Sequence, residues 1–289
     1  MVEAHIVELR ERLSALEALA AVDQLILAGS DLEPVVDALL DRMPGVMRCD
    51  ITCIALRSTD DTGGWDLRLG VPGPQGVRRS LLPSRSGADP ALPRMGPVPA
   101  ELRRLGARVL QAWPVTLETR VVAILGVGFR DPGQPDPGLA DTLDSFGQRL
   151  SLAIARSERE ARLYRQAHFD ALTGLPNRLL FREQLAAELQ RVRGGAQGGA
   201  LLYLDLDGFK QVNDTLGHAA GDQILAMVGQ RLRGCVKETD TVARLGGDEF
   251  TVILRALPEP SAARHIAQRV VDALAAPLWL AGEGRRVGV

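Results

Sequence analysis

The sequence lacks the features that mark secreted, disulfide-stapled or membrane-spanning proteins. It has only three cysteines, Cys49, Cys53 and Cys235, in 289 residues. The odd count, without metal-ligand spacing, argues against a disulfide framework or a zinc site, so we expect reduced, buried thiols in a cytoplasmic protein. No apolar run reaches the roughly 18 residues that a membrane-spanning helix needs. No basic segment followed by an apolar core opens the chain, so we expect neither a signal peptide nor membrane insertion.

Neither sign of charge dominates. The chain has 34 Lys and Arg against 36 Asp and Glu, a formal net charge of −2. This balance provides no general attraction to nucleic acid or to a membrane surface, so any phosphate binding must come from a local site. At about 100–200 residues per domain the length predicts two domains, and 46% hydrophobic residues are enough for two cores.

The first 21 residues are predicted to form a helix. Its apolar residues alternate in steps of three and four, which is the spacing of a coiled-coil a/d seam: Ile6, Leu9, Leu13, Leu16 and Ala20. Two or three heptads make only a marginal coiled coil by themselves. Packing of this helix on its own domain is an equally good interpretation, so both stay open.

Residues 22–156 have the layout of a small sensory domain. Ser30 and Glu33 have capping-box spacing before an apolar helical face, and residues 51–56 and 121–127 are predicted strands. Residues 70–99 are rich in Gly, Pro, Ser and Arg, which predicts a mobile lid or partial disorder.

An apolar helical stripe follows at 139–154, and it becomes charged at 157–166. Helix, strands, loop, strand and exit helix together resemble a GAF domain. Cys49 and Cys53 could ligate something there, but buried strand thiols are the better interpretation.

The second half alternates strands and helices. Residues 200–204 form an apolar strand that runs into Asp205-Leu206-Asp207. Helices are predicted at 213–216, 221–236 and 261–275. Two apolar runs, 241–245 and 249–254, flank Gly246-Gly247-Asp248, which predicts a β-hairpin. Carboxylates therefore lie at strand ends and on the hairpin.

Four ordered motifs then carry a specific resemblance. They are Asp170-Ala-Leu-Thr-Gly-Leu-Pro-Asn-Arg178, Asp205-Leu-Asp-Gly-Phe-Lys-Gln-Val-Asn-Asp214, Leu216-Gly-His-Ala-Ala-Gly-Asp222 and Arg244-Leu-Gly-Gly-Asp-Glu-Phe250. Together they resemble the GGDEF family of diguanylate cyclases, whose fold is similar to the adenylyl-cyclase and polymerase palm. The implied fold class is α+β with α/β character: an antiparallel-sheet GAF-like domain, a connecting helix and a palm-like domain.

The carboxylates suit phosphoryl transfer. Attack of a ribose 3′-hydroxyl on an α-phosphate needs a divalent cation held by hard oxygen ligands. By resemblance, Asp205, Asp248 and the backbone carbonyl of Leu206 bind Mg²⁺ or Mn²⁺. A helix cap is the alternative role for an isolated Asp at a strand end.

The hairpin residues have two compatible interpretations. Gly246 and Gly247 permit positive φ and close approach of a nucleotide, and they also suit an ordinary hairpin turn. Asp248 and Glu249 are the predicted catalytic pair. Glu249 assists the metal or helps to remove the 3′-hydroxyl proton, and the sequence leaves both roles open.

Base and phosphate recognition follow from the same resemblance. Asn213 and Asp222 match the positions that read the edge of guanine, although both residue types also favour helix caps. Phe209 and Lys210 match positions whose backbone amides, at a helix start, hold the β- and γ-phosphates. Lys210 adds positive charge, or it is a solvated surface lysine.

Two departures from the family pattern were noted. The inhibitory R-x-x-D motif that binds cyclic di-GMP in many members is here Lys237-Glu-Thr-Asp240, and lysine lacks the planar fork of arginine. A strand of the S-I-G-I-A type and a closing helix are also expected beyond Val289. The sequence therefore predicts a domain that lacks these two elements, or a fragment of a longer protein with a following phosphodiesterase (EAL) domain.

These observations predict an N-terminal helix at 1–21, a GAF-like sensor at 22–156, a helical connector at 157–169 and a GGDEF domain at 170–289. The expected function is a GAF-regulated diguanylate cyclase, a transferase that makes cyclic di-GMP and pyrophosphate from two GTP. The alternative is a non-catalytic GTP- or cyclic di-GMP-binding module. A homodimer formed through the GAF-like domain and its exit helix would bring two GTP together. An unknown small ligand is expected at the sensor.

Overall fold

The computed structural model describes residues 2–58, 64–73, 76–83, 98–131, 138–279 and 286–287. The chain divides into two compact units, Met1–Glu160 and Ala161–Val289. Within the described ranges, no helix has the length and apolar character needed to cross a bilayer.

The first unit is a sheet with helices. Its helices are α1 (Val2–Leu27), α2 (Leu32–Met47), α3 (Ala100–Arg104) and α4 (Leu139–His168), the last of which continues into the second unit. Its strands are β1 (Ile51–Arg57), β2 (Trp65–Gly73), β3 (Gly76–Pro83), β4 (Val109–Leu117) and β5 (Arg120–Phe129).

These five strands form one antiparallel sheet in the order β3-β2-β1-β5-β4. Central strand β1 pairs Ile54 with Arg68 of β2 and with Leu125 of β5. β5 is buried along most of its length, because its apolar run meets a separate cluster on each face. One face packs on α1, α2 and α4, and the other buries Cys53, Leu69 and Leu102.

Two expectations about this unit were wrong. Ser30 and Glu33 do not form a capping box: α2 begins at Leu32 after Asp31, without a side-chain cap. Glu33 instead pairs with the Arg68 guanidinium on β2, because a tertiary ion pair competes for the same carboxylate. The expected loop at 70–99 is wrong for residues 70–73 and 76–83, which pair as parts of β2 and β3. Residues 74–75 and 84–97 lie outside the described residues.

The second unit contains α5 (Arg178–Arg193), α6 (Phe209–Leu216), α7 (His218–Gly234) and α8 (Pro260–Ala275). Its strands are β6 (Ala200–Leu204), β7 (Thr241–Gly246), β8 (Glu249–Leu254), β9 (Leu278–Trp279) and β10 (Arg286–Val287). Helices α6 and α7 begin earlier than the sequence predicted. Gly208, at φ 80°, provides the left-handed residue from which α6 starts.

The main sheet of this unit has the order β6-β8-β7 and is antiparallel, and the predicted β7–β8 hairpin is confirmed. Alternation along β8 separates two cores. Phe250, Val252 and Leu254 belong to a cluster with residues of α7, and Ile253 packs with Phe181 of α5. β9 pairs with β10 in a separate two-stranded ribbon.

Candidate active site

Strand pairing brings the predicted metal carboxylates to one end of the sheet. Leu204, the last residue of β6, pairs with Phe250 of β8. Because the strands are antiparallel, the residue that follows Leu204 and the residues that precede Phe250 lie at the same end of the sheet. These residues are Asp205 on one side and Asp248 and Glu249 on the other. Asp205 and Asp248 make no hydrogen bond or ion pair with any other described residue. Two carboxylates from separate parts of the sequence thus lie at the same end of the sheet, and no described residue neutralises either of them.

The hairpin turn requires its two glycines. Gly246 has φ 140° and Gly247 has φ 54°, conformations that residues with a Cβ rarely adopt. A Cβ at either position would meet no other atom within 4 Å. The constraint is therefore on the backbone itself, and the turn presents Asp248 at the start of β8.

Arg244 fixes this turn from β7. Its Nη1 lies 2.9 Å and 3.1 Å from the two carboxylate oxygens of Asp170. Its Nε and Nη2 donate to the Gly247 carbonyl at 2.9 Å and 2.8 Å. Burial by itself would raise the pKa of Asp170, but hydrogen bonds from Thr173 and Arg244 outweigh it and lower that pKa.

Glu249 has partners on both sides. Arg178 Nη2 lies 3.3 Å from its carboxylate, and Arg178 Nε donates to the Leu245 carbonyl at 3.2 Å. Partial desolvation raises the pKa of the Tyr203 hydroxyl. The nearby Glu249 carboxylate raises that pKa further, through its negative charge and through hydrogen bonding with the hydroxyl. Glu249 is thus held beside an arginine and a tyrosine rather than standing free.

The predicted guanine-reading residues lie on two successive helices. Asn213 is on α6 and Asp222 on α7, and Gly217, at φ 83°, joins the helices. The Asn213 amide lies against Gly221: a Cβ added to that glycine would be 1.9 Å from Asn213 Oδ1. Gly221 therefore leaves the space that Asn213 occupies, one residue before Asp222.

The start of α6 holds the predicted phosphate-binding residues. The Phe209 side chain is buried, and Lys210 is exposed. The Phe209 N–H donates to the Leu206 carbonyl at 3.3 Å, which is a long bond. A carbonyl oxygen has two lone pairs, so this bond leaves the Leu206 oxygen able to bind a cation. A phosphate that accepted from the Phe209 N–H would have to replace this Phe209–Leu206 hydrogen bond.

The donor set fits a hard divalent cation that also binds substrate. In the described part of the chain, no three His, Cys, Asp or Glu side chains form a cluster that could hold a metal ion. Mg²⁺ is commonly bound by one or two carboxylates together with substrate phosphates. Unpaired Asp205 and Asp248, with the Leu206 carbonyl, match that pattern, and the phosphates would supply the remaining ligands.

The Lys237–Asp240 segment borders a separate cavity of about 500 Å³, which Phe169, Pro176 and Arg233 also line. Asp240 accepts from the Lys237 N–H at 3.1 Å and from the Arg255 N–H at 2.9 Å. One oxygen of this carboxylate therefore stabilises the local turn, and the other binds the backbone just after β8.

Arg178, Tyr203 and Arg244 had no role predicted from the sequence. Arg178 and Arg244 were visible as members of the first and last motifs. Nothing in the sequence singled out Tyr203, because its proximity to Glu249 results from the β6–β8 register.

Comparisons with known proteins identify the family of the second half of the chain. The family model described as "Diguanylate cyclase, GGDEF domain" matches residues 167–289. The diguanylate cyclase TpbB of Pseudomonas aeruginosa is 41% identical over 148 residues, which cover 51% of this chain and 33% of TpbB. The bifunctional diguanylate cyclase/cyclic di-GMP phosphodiesterase MucR of the same species is 40% identical over 149 residues, 52% of this chain and 21% of MucR.

A solved structure of TpbB that comprises only the GGDEF domain is 43% identical in sequence. The matched region covers 42% of this chain and 70% of the TpbB chain, with a TM-score of 0.41. The chain spans a third or less of the length of the two curated relatives. Through its residues 167–289, this chain belongs to the family of diguanylate cyclase GGDEF domains.

Proposed function

We propose that this chain is a diguanylate cyclase that condenses two GTP into cyclic di-GMP and pyrophosphate. One observation carries the proposal: Asp205 and Asp248 lie at the same end of the sheet and have no hydrogen-bond or ion-pair partner among the described residues. A structural carboxylate in a folded protein usually has a hydrogen-bond or ion-pair partner, as Asp170 and Asp240 do here. Two carboxylates at the same end of the sheet without such a partner are suited to a cation.

The proposed cation is Mg²⁺ or Mn²⁺, held by Asp205, Asp248 and the carbonyl of Leu206. When bound, it would neutralise phosphate charge and polarise the α-phosphate. In the reaction, a 3′-hydroxyl oxygen forms a bond to the α-phosphorus of a second GTP, and the bond to pyrophosphate breaks. The hydroxyl proton must leave as the new bond forms.

Glu249 is the proposed group near that proton. Arg178 Nη2, 3.3 Å from its carboxylate, holds the group in a defined position. A carboxylate held in this way accepts a hydrogen bond from the hydroxyl more readily than a freely rotating one. Arg178 is a positioning residue in this proposal, because it acts through Glu249.

Guanine selection is assigned to Asn213 and Asp222. Guanine presents an N1–H and an exocyclic amine side by side, and a carboxylate accepts from both. The Asn213 amide lies against Gly221, which directly precedes Asp222 in the chain. The backbone at the start of α6, with Lys210, is assigned to the β- and γ-phosphates, and Gly246 and Gly247 allow the nucleotide to approach the turn.

The first unit is proposed to be a GAF-like sensor that takes an unknown small ligand. Its support is the five-stranded antiparallel sheet with helices α1, α2 and α4 on one face. Helix α4 then continues into the second unit, which provides a continuous element for a regulatory signal. Each cyclase domain would bind one GTP, so the active form is proposed to be a homodimer.

The test is product formation from GTP with Mg²⁺ or Mn²⁺, followed by chromatography. We expect cyclic di-GMP from the unchanged chain and a loss of about 100-fold or more for Asp205→Asn or Asp248→Asn, because mutating even the outer-shell partners of metal ligands typically costs about 10–100-fold. Asp207→Asn is the matched control, because Asp207 is exposed and adjacent in sequence but has no assigned role. Tight GTP binding without product would favour the non-catalytic alternative.

A further inference from the structure

The sheet of the second unit has one face that helix α5 covers only in part. On this face Ile253 of β8 packs with Phe181 of α5, and the helix contacts β7. Strand β6, at the other edge of the sheet, places Leu201 and Tyr203 on the same face, because Leu201 pairs with Ile253. These two side chains are 47% and 60% exposed. The Tyr203 ring is therefore accessible to a molecule that binds at this end of the sheet.

Tyr203 and Glu249 are diagonal neighbours on this face. Tyr203 pairs directly with Thr251 of β8, and Glu249 lies two residues before Thr251 on the same side of that strand. The Cα atoms of diagonal neighbours are about 7–8 Å apart, a separation that long and aromatic side chains bridge. Partial desolvation raises the pKa of the Tyr203 hydroxyl, and Glu249 raises it further through its charge and through hydrogen bonding, which agrees with this placement.

Arg178 approaches Glu249 from the opposite side. It is the first residue of α5, and it donates to the Leu245 carbonyl on β7, whereas Tyr203 is on β6. Its Nη2 lies 3.3 Å from Oε2 of Glu249, and the two side chains are 63% and 40% exposed. A long contact between two exposed side chains is a weak restraint. One further donor is therefore needed to fix the plane of the carboxylate.

We propose that Tyr203 is a positioning residue that donates a hydrogen bond to the Glu249 carboxylate and holds it towards the attacking 3′-hydroxyl. This inference rests on the proposed cyclase function. A carboxylate has about four lone-pair sites, so Glu249 can accept from Arg178, from Tyr203 and from the substrate hydroxyl at once. Tyr203 keeps its own proton and takes no part in bond making. It acts through the orientation of Glu249, to which the rate is sensitive.

Tyr203→Phe removes only the hydroxyl and tests the proposal in the full chain. With GTP and Mg²⁺ or Mn²⁺, we expect kcat to fall by about 10-fold and KM to stay the same, because the lost hydrogen bond orients a group that acts in the transition state. An unchanged kcat in an otherwise active chain, or a rise in KM alone, would overturn the proposal.

Thr251→Val is the matched control. It also removes one hydroxyl, from the residue directly opposite Tyr203. Thr251 is completely buried, and its Oγ1 has no hydrogen-bond partner in the described part of the chain. Its loss should therefore leave kcat unchanged. An equal fall in kcat for Thr251→Val and Tyr203→Phe would show a general disturbance of the sheet and contradict a specific role for Tyr203.

A double-variant cycle tests whether Tyr203 and Arg178 act on the same carboxylate. In the Arg178→Ala background, Tyr203 is the remaining donor to Glu249. Tyr203→Phe should therefore lower kcat by a larger factor there than in the unchanged chain. Equal factors in the two backgrounds would mean that the residues act independently, which the proposal does not allow.

A measurement without substrate separates failure of this inference from failure of the cyclase function. The chain has two tyrosines, Tyr164 and Tyr203, so carbon-13 at the hydroxyl-bearing ring carbon gives two NMR signals. Glu249→Gln should shift the Tyr203 signal and leave that of Tyr164, which is on α4, in place. No shift, with an active unchanged chain, would overturn this inference alone. A shift without any cyclic di-GMP from the unchanged chain would confirm the contact but reject the cyclase function, and the positioning role with it.

Discussion

Arg244 connects Asp170 to the backbone carbonyl of Gly247, with four N–O distances between 2.8 and 3.1 Å. Asp170 lies two residues after the end of α4, and Gly247 is in the hairpin turn that presents Asp248. Pro176 also accepts from the Arg244 N–H at 3.0 Å. The end of the connecting helix and the turn before the proposed metal ligand therefore share one arginine.

The first prediction concerns this arginine. Arg244→Ala should lower the free energy of unfolding by about 2–4 kcal/mol, because it leaves the Asp170 carboxylate and the Gly247 carbonyl without their donor. Arg244→Lys should recover only part of this loss, since one ammonium cannot keep a planar fork on two acceptors. Urea denaturation measures both effects. Arg233→Ala is the control, since Arg233 is exposed and donates to the single carbonyl of Gly174; equal losses at the two arginines would refute the prediction.

The second prediction is a pH dependence from Asp170. Its pKa is lowered in the folded chain, so the carboxylate contributes stability at pH values above its ordinary pKa of about 3.9. That contribution is lost as the pH falls through the lower, folded value. We expect the stability difference between the unchanged chain and Asp170→Asn to be constant from pH 7 to about pH 5 and to shrink in more acidic solution. Thermal unfolding across that range measures it, and a difference that grows on acidification would show the wrong sign.

The third prediction concerns Gly221. Gly221→Ala would place a methyl group 1.9 Å from Asn213 Oδ1, so the amide must move. We expect calorimetric titration to show GTP binding weakened by about 10-fold or more, with ATP binding unchanged. Gly234→Ala is the control, because a Cβ there meets no other atom within 4 Å. It should leave nucleotide binding unaffected. A parallel loss of GTP and ATP affinity in Gly221→Ala would remove Asn213 from base recognition.

The fourth prediction concerns Cys49 and Cys53. Burial raises the pKa of each thiol to about 12, so both should resist thiol reagents at neutral pH and react only after unfolding. A raised folded pKa favours the neutral thiol. The stability that it contributes is therefore present below the ordinary value of about 9 and is lost as the pH rises towards 12. Mass spectrometry after alkylation with and without urea would identify the modified residues. Rapid labelling of the folded chain would instead indicate an accessible, reactive pair.

The fifth prediction concerns product inhibition. Cyclic di-GMP should not inhibit turnover through Lys237, because lysine lacks the arginine fork and both oxygens of Asp240 are bonded to backbone N–H groups. Turnover measured with added cyclic di-GMP should be the same in the unchanged chain and in Lys237→Ala. Relief of inhibition in that variant would show that the segment binds product after all.

Local pattern was sufficient for much of the architecture. β6 was predicted at residues 200–204 and the β7–β8 hairpin around Gly246-Gly247, because strand alternation and a glycine turn are properties of neighbouring residues. The motifs also identified the family. The assigned roles of Asp205, Asp248, Asn213 and Asp222 remain proposals.

Residues 70–99 and Glu33 show where local pattern was insufficient. Gly and Pro suggested a loop where β2 and β3 pair, because the hydrogen bonds of a hairpin outweigh weak local preferences. Glu33 had cap spacing, but Arg68, 35 residues away, binds its carboxylate.

The sequence by itself determined which residue types could bind metal, guanine and phosphate, and which family the second unit belongs to, since these depend on residue identity and spacing. Tertiary structure decided which groups are neutralised and which are available. It paired Arg244 with Asp170 and Arg178 with Glu249, left Asp205 and Asp248 without a partner among the described residues, and turned one face of α1 inward and the other outward. Such outcomes depend on contacts between residues far apart in the chain, whose distances follow from strand register and helix packing rather than from local composition.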